Sequence, residues 1–500
     1  MDEVNLKRIQ VQTNCGVLEG IKEDRLYTFK GIPYAKAGRF KVPQPYTWEG
    51  TLVCDTFSKK AMQVYDMPMF DGRVQTRDEF DEDCLSLNIY TPALEGSLPV
   101  VIYIHGGAFQ GGNNQSRSGA YMIRQNNFIY VSVNYRLGAL GYLYLGDILG
   151  NDYASTGNLG TLDQLAAIKW VYENIRAFGG NPEKITVMGE SAGAKSISAL
   201  LMLPDMQTYC AQASLASGAY QSVRDIHTAS EITARFMKIA KNKHPEFKPE
   251  GLLTMPVDDI IEIQKELCSG PGSTCIFGPV ADDINISKDW MTKLHEGNYW
   301  KGKAIVGSCL HELVFHKLMD KDFVQHAPGI ARELFGVNAD IAIKDFEDLS
   351  KTISEPDEKK QNDMLADIWV KILSDYMYRT YSARLAQLLY KNGSDVWCYS
   401  MEFGRAVHCL DQGMAFEDDE KPSFMFGKTA KEDIEKLSQC IYESYVRFFE
   451  TGDPNGEGIP VWPKLSENEQ QKIVWKLPVE IQPIRTEDTL THFPDNVYQL

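Results

Sequence analysis

Cysteine pairs, long apolar runs, basic clusters and internal repeats are all missing from this chain. Its ten cysteines fall at irregular spacing without a single CxxC pair, which excludes the usual zinc-site spacings and a small disulfide framework. Most are expected to be buried thiols. Cys268 and Cys275 flank the loop SGPGST, where a small disulfide could close, but in a reducing compartment the expectation is two thiols. No uncharged apolar run is long enough to span a bilayer. The N-terminal stretch MDEVNLKRIQVQTNCG has acidic residues where a signal peptide carries positive charge, and no apolar stretch follows. A soluble, cytoplasmic chain is expected. Acidic residues outnumber Lys and Arg by 68 to 51, for a net charge of −17, and no Lys/Arg cluster offers a surface for phosphates, so a nucleic-acid partner is not expected. Sequons at Asn114, Asn285 and Asn392 are what chance supplies in a chain of this length.

What is present is an ordinary folded composition, 43% hydrophobic and 24% charged over 500 residues, enough to bury a large core. Length alone does not settle domain number, because large α/β enzymes insert loops into one sheet. Val100 to Ile104 and Phe128 to Val133 are short continuous apolar runs of the kind that form buried parallel strands. Leu162, Leu165, Ile168, Trp170, Val171 and Ile175 recur at helical spacing, and Gly179-Gly180 supplies a stop. A strand at Ile185 to Met188 then leads into Gly-Glu-Ser-Ala-Gly at 189 to 193, and a helical pattern resumes over Ala194 to Met202. Further strands are predicted at Ala213 to Leu215, Lys303 to Val306 and Val396 to Ser400. Strand, turn and helix in alternation predict an α/β fold with a mostly parallel central sheet flanked by helices. The chain reads as a single catalytic domain over 1–500, with cap-like insertions around 64–80, 265–285 and 317–362. Met364 to Tyr390 is amphipathic and aromatic-rich, a pattern that points to core packing before any substrate-lining role.

The chemistry lies at the strand-to-helix turn. GxSxG is weak evidence by itself, yet between a strand and a helix it marks a sharp, crowded turn that pushes the Ser191 hydroxyl out at the sheet edge. A serine hydroxyl needs a base to take its proton and a third group to orient that base. Hydrolases with this elbow run in the order serine, acid, histidine, which leaves His311, His316, His326, His408 and His492. His408 follows the predicted strand Val396 to Ser400 after a short loop, where a histidine at the top of the sheet belongs. Glu312 follows the predicted strand ending near Ser308 and precedes His408, although Asp320 and Asp322 lie close by and satisfy the same order. His-Gly-Gly-Ala-Phe at 105 to 109, directly after a strand, suits an oxyanion loop, and the backbone amides of Gly107, Ala108 and Ala192 are the expected donors.

These segments together resemble the type-B carboxylesterases of the α/β-hydrolase fold. The resemblance runs through FKGIPYA (29–35), EDCLSLNIYTP (82–92), HGGAF (105–109), NYRLG (134–138), GNLGTLDQLAAIKWV (157–171), FGGNPEKITVMGESAG (178–193), HEL (311–313), AVH (406–408) and ETGDPN (450–455). It implies a catalytic triad of Ser191, Glu312 and His408, with Glu312 preferred over its acidic neighbours. It also implies structural ion pairs between Arg39 and Glu82 and between Arg136 and Asp163. Met62 stands where secreted members place the partner of the EDCL cysteine, so Cys84 is expected to stay unpaired. Val74 replaces the tryptophan whose π face holds choline in cholinesterases, which argues against choline esters.

The activity implied is hydrolysis of small to medium carboxylic esters through an acyl-enzyme, with a small-molecule ester as partner and no metal or organic cofactor. Two other functions use the same frame: a catalytically silent cholinesterase-like binding protein, and an amidase or thioesterase with the same triad. Nothing in the sequence sets the oligomeric state.

Overall fold

The computed structural model describes residues 7–65, 74–117, 119–123, 127–416 and 423–495. One large twisted sheet organises them. Its strands in chain order are β1 (Lys7–Thr13), β2 (Gly16–Glu23), β3 (Leu26–Pro33), β4 (Ser86–Thr91), β5 (Leu98–Ile104), β6 (Ile129–Val133), β7 (Gly180–Glu190), β8 (Gln212–Ala216), β9 (Lys303–Cys309), β10 (Asp395–Met401), β11 (Gln471–Trp475) and β12 (Glu480–Pro483). They lie side by side as β1-β2-β3-β4-β6-β5-β7-β8-β9-β10-β11-β12, and Thr51–Val53 adds to β2.

The centre of the sheet is parallel, from β6 through β5, β7, β8, β9 and β10 to β11. The strands β1 to β4 on one side and β12 on the other are antiparallel. This is the expected doubly wound arrangement, extended by meanders at both edges. The difference between centre and edge is written in the burial. Every residue of β6 is buried, whereas β1 alternates exposed and buried positions, as expected of a strand with one solvated face.

Alternate residues of the central strands feed two cores, one on each face. Val100, Ile102 and Ile104 of β5 join the larger. Val101 and Tyr103 join the smaller, with Trp397 and Trp475. Helices α1 (Leu159–Asn174) and α2 (Ala192–Leu200) bracket β7 in sequence and supply buried apolar residues to the larger core.

Of the predicted insertions, the 317–362 segment is largely helical. The 317–362 stretch runs through α3 (Phe323–Phe335), α4 (Ala339–Ser350) and the start of α5 (Glu358–Ser374). These three pack on one another, and α3 also packs on the short turn Pro271–Cys275 within the 265–285 segment. Residues 66–73 of the 64–80 segment lie outside the described residues. Following α5, a π-helical turn at Asp375–Arg379 joins α6 (Thr380–Lys391). Residues read as core in this stretch, Trp369, Ile372, Tyr376, Tyr381, Leu385 and Leu389, are buried in the larger core.

Candidate active site

Parallel strands that end at one edge leave their following loops close together, and ligands bind there in open α/β sheets. The loops after β5, β7, β9 and β10 carry the residues read as triad and oxyanion candidates. Ser191 sits between the end of β7 and the start of α2 with φ 54 and ψ −124. A non-glycine residue held there costs about 1–3 kcal/mol and persists only when its surroundings enforce it. The flanking glycines show what enforces it. A Cβ on Gly193 would fall 2.1 Å from the Ile104 carbonyl oxygen, and one on Gly189 would fall 2.7 Å from the Gly193 carbonyl carbon. The turn is pressed against the end of β5, and only bare backbone fits.

His408 and Glu312 come together as the order of the motifs requires. His408 Nδ1 lies 2.5 Å from Glu312 Oε2, and the glutamate side chain is fully buried. The other carboxylate oxygen accepts the Ser217 hydroxyl at 2.6 Å and the Cys309 amide at 2.7 Å. With Nδ1–H donating to the carboxylate, the ring presents Nε2 as an acceptor. That Nε2 is buried and has no hydrogen-bond partner among the described residues. Asp320, the alternative acid, instead pairs with His326 at 2.7 Å on the surface. Asp322 is exposed at the start of α3.

Tyr378 links this pair to the serine. Its ring centroid lies 4.6 Å from that of His408, and its phenol interacts with the Ser191 hydroxyl. Burial, followed by the negative charge of Glu312, holds the Tyr378 hydroxyl protonated far above the usual phenol range. In this structure the serine therefore faces Tyr378, and no hydrogen bond joins Ser191 to His408.

The loop after β5 supplies the third part. A Cβ on Gly106 would lie 3.2 Å from Ser191 Cβ, so this loop runs against the serine. Gly107 has φ 111, and its carbonyl accepts the Gln110 and Gly111 amides. The amides of Gly107, Ala108 and Ala192 donate to no backbone acceptor among the described residues. Of the ten non-glycine residues with positive φ among the described residues, six lie in these loops: Ala108, Phe109, Ser191, Ser217, Ala406 and Cys409. Strain of this kind gathers where function overrides local preference.

Beneath the turn, Arg117 clamps Glu190 with two bonds of 2.9 Å, and Tyr103 donates to the same carboxylate at 3.2 Å. Both predicted ion pairs form. Arg136 holds Asp163 at 2.8 and 2.7 Å, and both side chains are almost wholly buried. Arg39 holds Glu82 at 2.8 and 2.5 Å in a more exposed setting. All ten cysteines are free thiols, Cys84, Cys268 and Cys275 included.

Sequence reasoning missed Tyr378, Ser217 and Lys195. Ser217 follows β8 in Ser-Gly-Ala, and its position after a parallel strand was a usable signal. Lys195 stands four residues after Ser191, is 4% exposed, and has its Nζ 4.7 Å from the Tyr378 ring centroid.

The sequence model of the carboxylesterase family matches residues 7–491. The chain belongs to the carboxylesterase family. The esterase is 28% identical over 490 residues to the para-nitrobenzyl esterase of Bacillus subtilis, covering 94% of this chain and 96% of that protein. It is 29% identical over 483 residues to human cocaine esterase, covering 89% and 82%. Among solved structures it superimposes on a carboxylesterase of Geobacillus stearothermophilus with TM-score 0.81 and 29% identity, over 97% of this chain and all of that one. This esterase is accordingly a carboxylic ester hydrolase of the α/β-hydrolase fold.

Proposed function

We propose that this esterase hydrolyses small to medium carboxylic esters by acyl transfer, with Ser191 as nucleophile, His408 as general base and Glu312 as the residue that orients it. The observation that carries the proposal is the state of His408: Nδ1 engaged by a fully buried carboxylate, Nε2 buried and unpartnered. His105 also has a buried, unpartnered Nε2, but its Nδ1 meets only the Gly106 carbonyl; the buried carboxylate on Nδ1 is what equips His408 to act as a base.

On substrate binding, the Ser191 hydroxyl leaves Tyr378 for His408 Nε2, and its oxygen attacks the ester carbonyl as the proton passes to the ring. The carbonyl oxygen gains negative charge and takes hydrogen bonds from Gly107, Ala108 and Ala192, each worth about 3 kcal/mol of transition-state stabilisation. The imidazolium, stabilised by Glu312, gives its proton to the departing alcohol. Water then enters, loses a proton to His408 and attacks the acyl-enzyme, releasing the acid and restoring Ser191.

The segments 64–80, 265–285 and 317–362 act as a cap that sets acyl and alcohol preference. Support comes from the contact of α3 with Pro271–Cys275, whose Cys275 thiol meets Met377 beside Tyr378. A cytoplasmic setting fits ten free thiols. At the position where cholinesterases hold choline, Val74 is 49% exposed and offers no π face.

Matched para-nitrophenyl esters and para-nitroanilides test the reaction class. The esters should turn over faster. Faster anilide turnover would make the protein an amidase, and folded protein that turns over neither would favour a binding role.

A further inference from the structure

Lys195 has no task in the reaction just described, yet it is buried beside it. It lies one helical turn after Ser191 on α2, so its side chain leans back toward the N-terminus of the helix and the nucleophile. The residue is 4% exposed, and its ammonium forms no hydrogen bond or ion pair with the described residues.

One ring packs on it, and three titratable groups lie within electrostatic reach. Tyr378, from the π-helical turn, offers a ring face at 4.7 Å. Cys275, from the turn Pro271–Cys275, offers a thiol that burial keeps protonated. Arg224, in the loop after β8, brings a like charge. Glu312 brings a negative charge, but its oxygens are already held by His408, Ser217 and the Cys309 amide. No anion among these is free to pair with the lysine. A cation this poorly hydrated and without a counter-ion destabilises the free protein, and a ligand carboxylate would offset that cost.

We propose that Lys195, backed by the Tyr378 ring, is a subsite for a carboxylate carried by the substrate. The esterase then prefers esters with an acid group a few bonds from the scissile carbonyl, such as monoesters of short dicarboxylic acids, over neutral esters of equal length. The inference rests on the reading of Ser191 as the esterase nucleophile. Burial and the like charge of Arg224, opposed by Glu312, bring the lysine down to about 8. The subsite is therefore charged at neutral pH and loses its charge in alkali.

The test compares mono-4-nitrophenyl glutarate with 4-nitrophenyl pentanoate, taking the ratio of kcat/KM after subtraction of the uncatalysed rates. The ratio should exceed about tenfold at pH 7 in the unaltered enzyme and fall at least several-fold by pH 9.5. Lys195→Met should lower it about tenfold or more, and Lys195→Arg should keep it above that of Lys195→Met. A ratio at or below one in the unaltered enzyme overturns the proposal, as does a Lys195→Met variant that slows both esters equally. Should Lys195→Met fail to fold, the ratio and its pH course in the unaltered enzyme decide alone. Loss of turnover on both esters would instead sink the esterase reading, and the subsite with it.

Discussion

Ser217 and His408 share the carboxylate of Glu312, one on each oxygen, at 2.6 and 2.5 Å. The acid is thus fixed from both sides, and its charge is held against one ring nitrogen. In the proposed mechanism the glutamate has a double duty: it selects the tautomer of His408 and stabilises the ring once protonated.

Glu312→Gln separates charge from shape. The amide can keep the contacts with Ser217 and Cys309 yet presents no carboxylate to the ring. We expect kcat on a para-nitrophenyl ester to fall by about 10^3- to 10^4-fold, with little change in thermal midpoint. A loss of less than tenfold would remove Glu312 from the triad.

The two predicted ion pairs should differ in worth. Asp163 is fully buried and Arg136 nearly so, so Asp163→Asn strands a buried guanidinium and should cost about 3–5 kcal/mol. Glu82 is 32% exposed, and Glu82→Gln should cost about 1 kcal/mol. Denaturant unfolding of the two variants, compared at the first transition, checks the ranking.

Acid sensitivity has two opposing sources near the site. Burial pushes the Asp411 carboxyl up to about 6, whereas an unfolded Asp titrates near ~3.9. Its contribution to stability is present below ~3.9 and is lost as pH rises through about 6. Burial brings His105 down to about 4, against ~6.5 unfolded, so its contribution is lost as pH falls through that range. Asp411→Asn removes the first term and leaves the second. Its thermal midpoint should therefore fall more steeply than that of the parent between pH 6 and pH 4, by scanning calorimetry. A parallel pair of curves would contradict this.

The parts of the fold that could be read from the sequence are those where physics is local. The strands from Val100 to Ser400 are continuous apolar runs because both faces are covered, and the turn at Ser191 carries its glycines because backbone meets backbone there. The edge strands β1 to β3 and β12 gave no such run, since one face of each meets solvent or a loop. Tyr378 was hidden for a different reason. In the amphipathic stretch Met364 to Tyr390 a regular helix assigns faces by a 3.6-residue period, but the π-helical turn Asp375–Arg379 breaks that phase. Tyr376, Tyr378 and Tyr381 are all buried in the larger core, and Tyr378 also reaches the serine. Lys195 was equally opaque, because a lysine on a helix is taken as solvated until coordinates bury it.

The central claim is that Ser191 forms a covalent bond during turnover. Incubation of the folded esterase with a fluorophosphonate, followed by proteolysis and mass spectrometry, measures this directly. Stoichiometric phosphonylation of the peptide containing Ser191, with matching loss of ester hydrolysis, is the predicted result. Full activity with Ser191 unmodified, or inactivation through another residue, would contradict it.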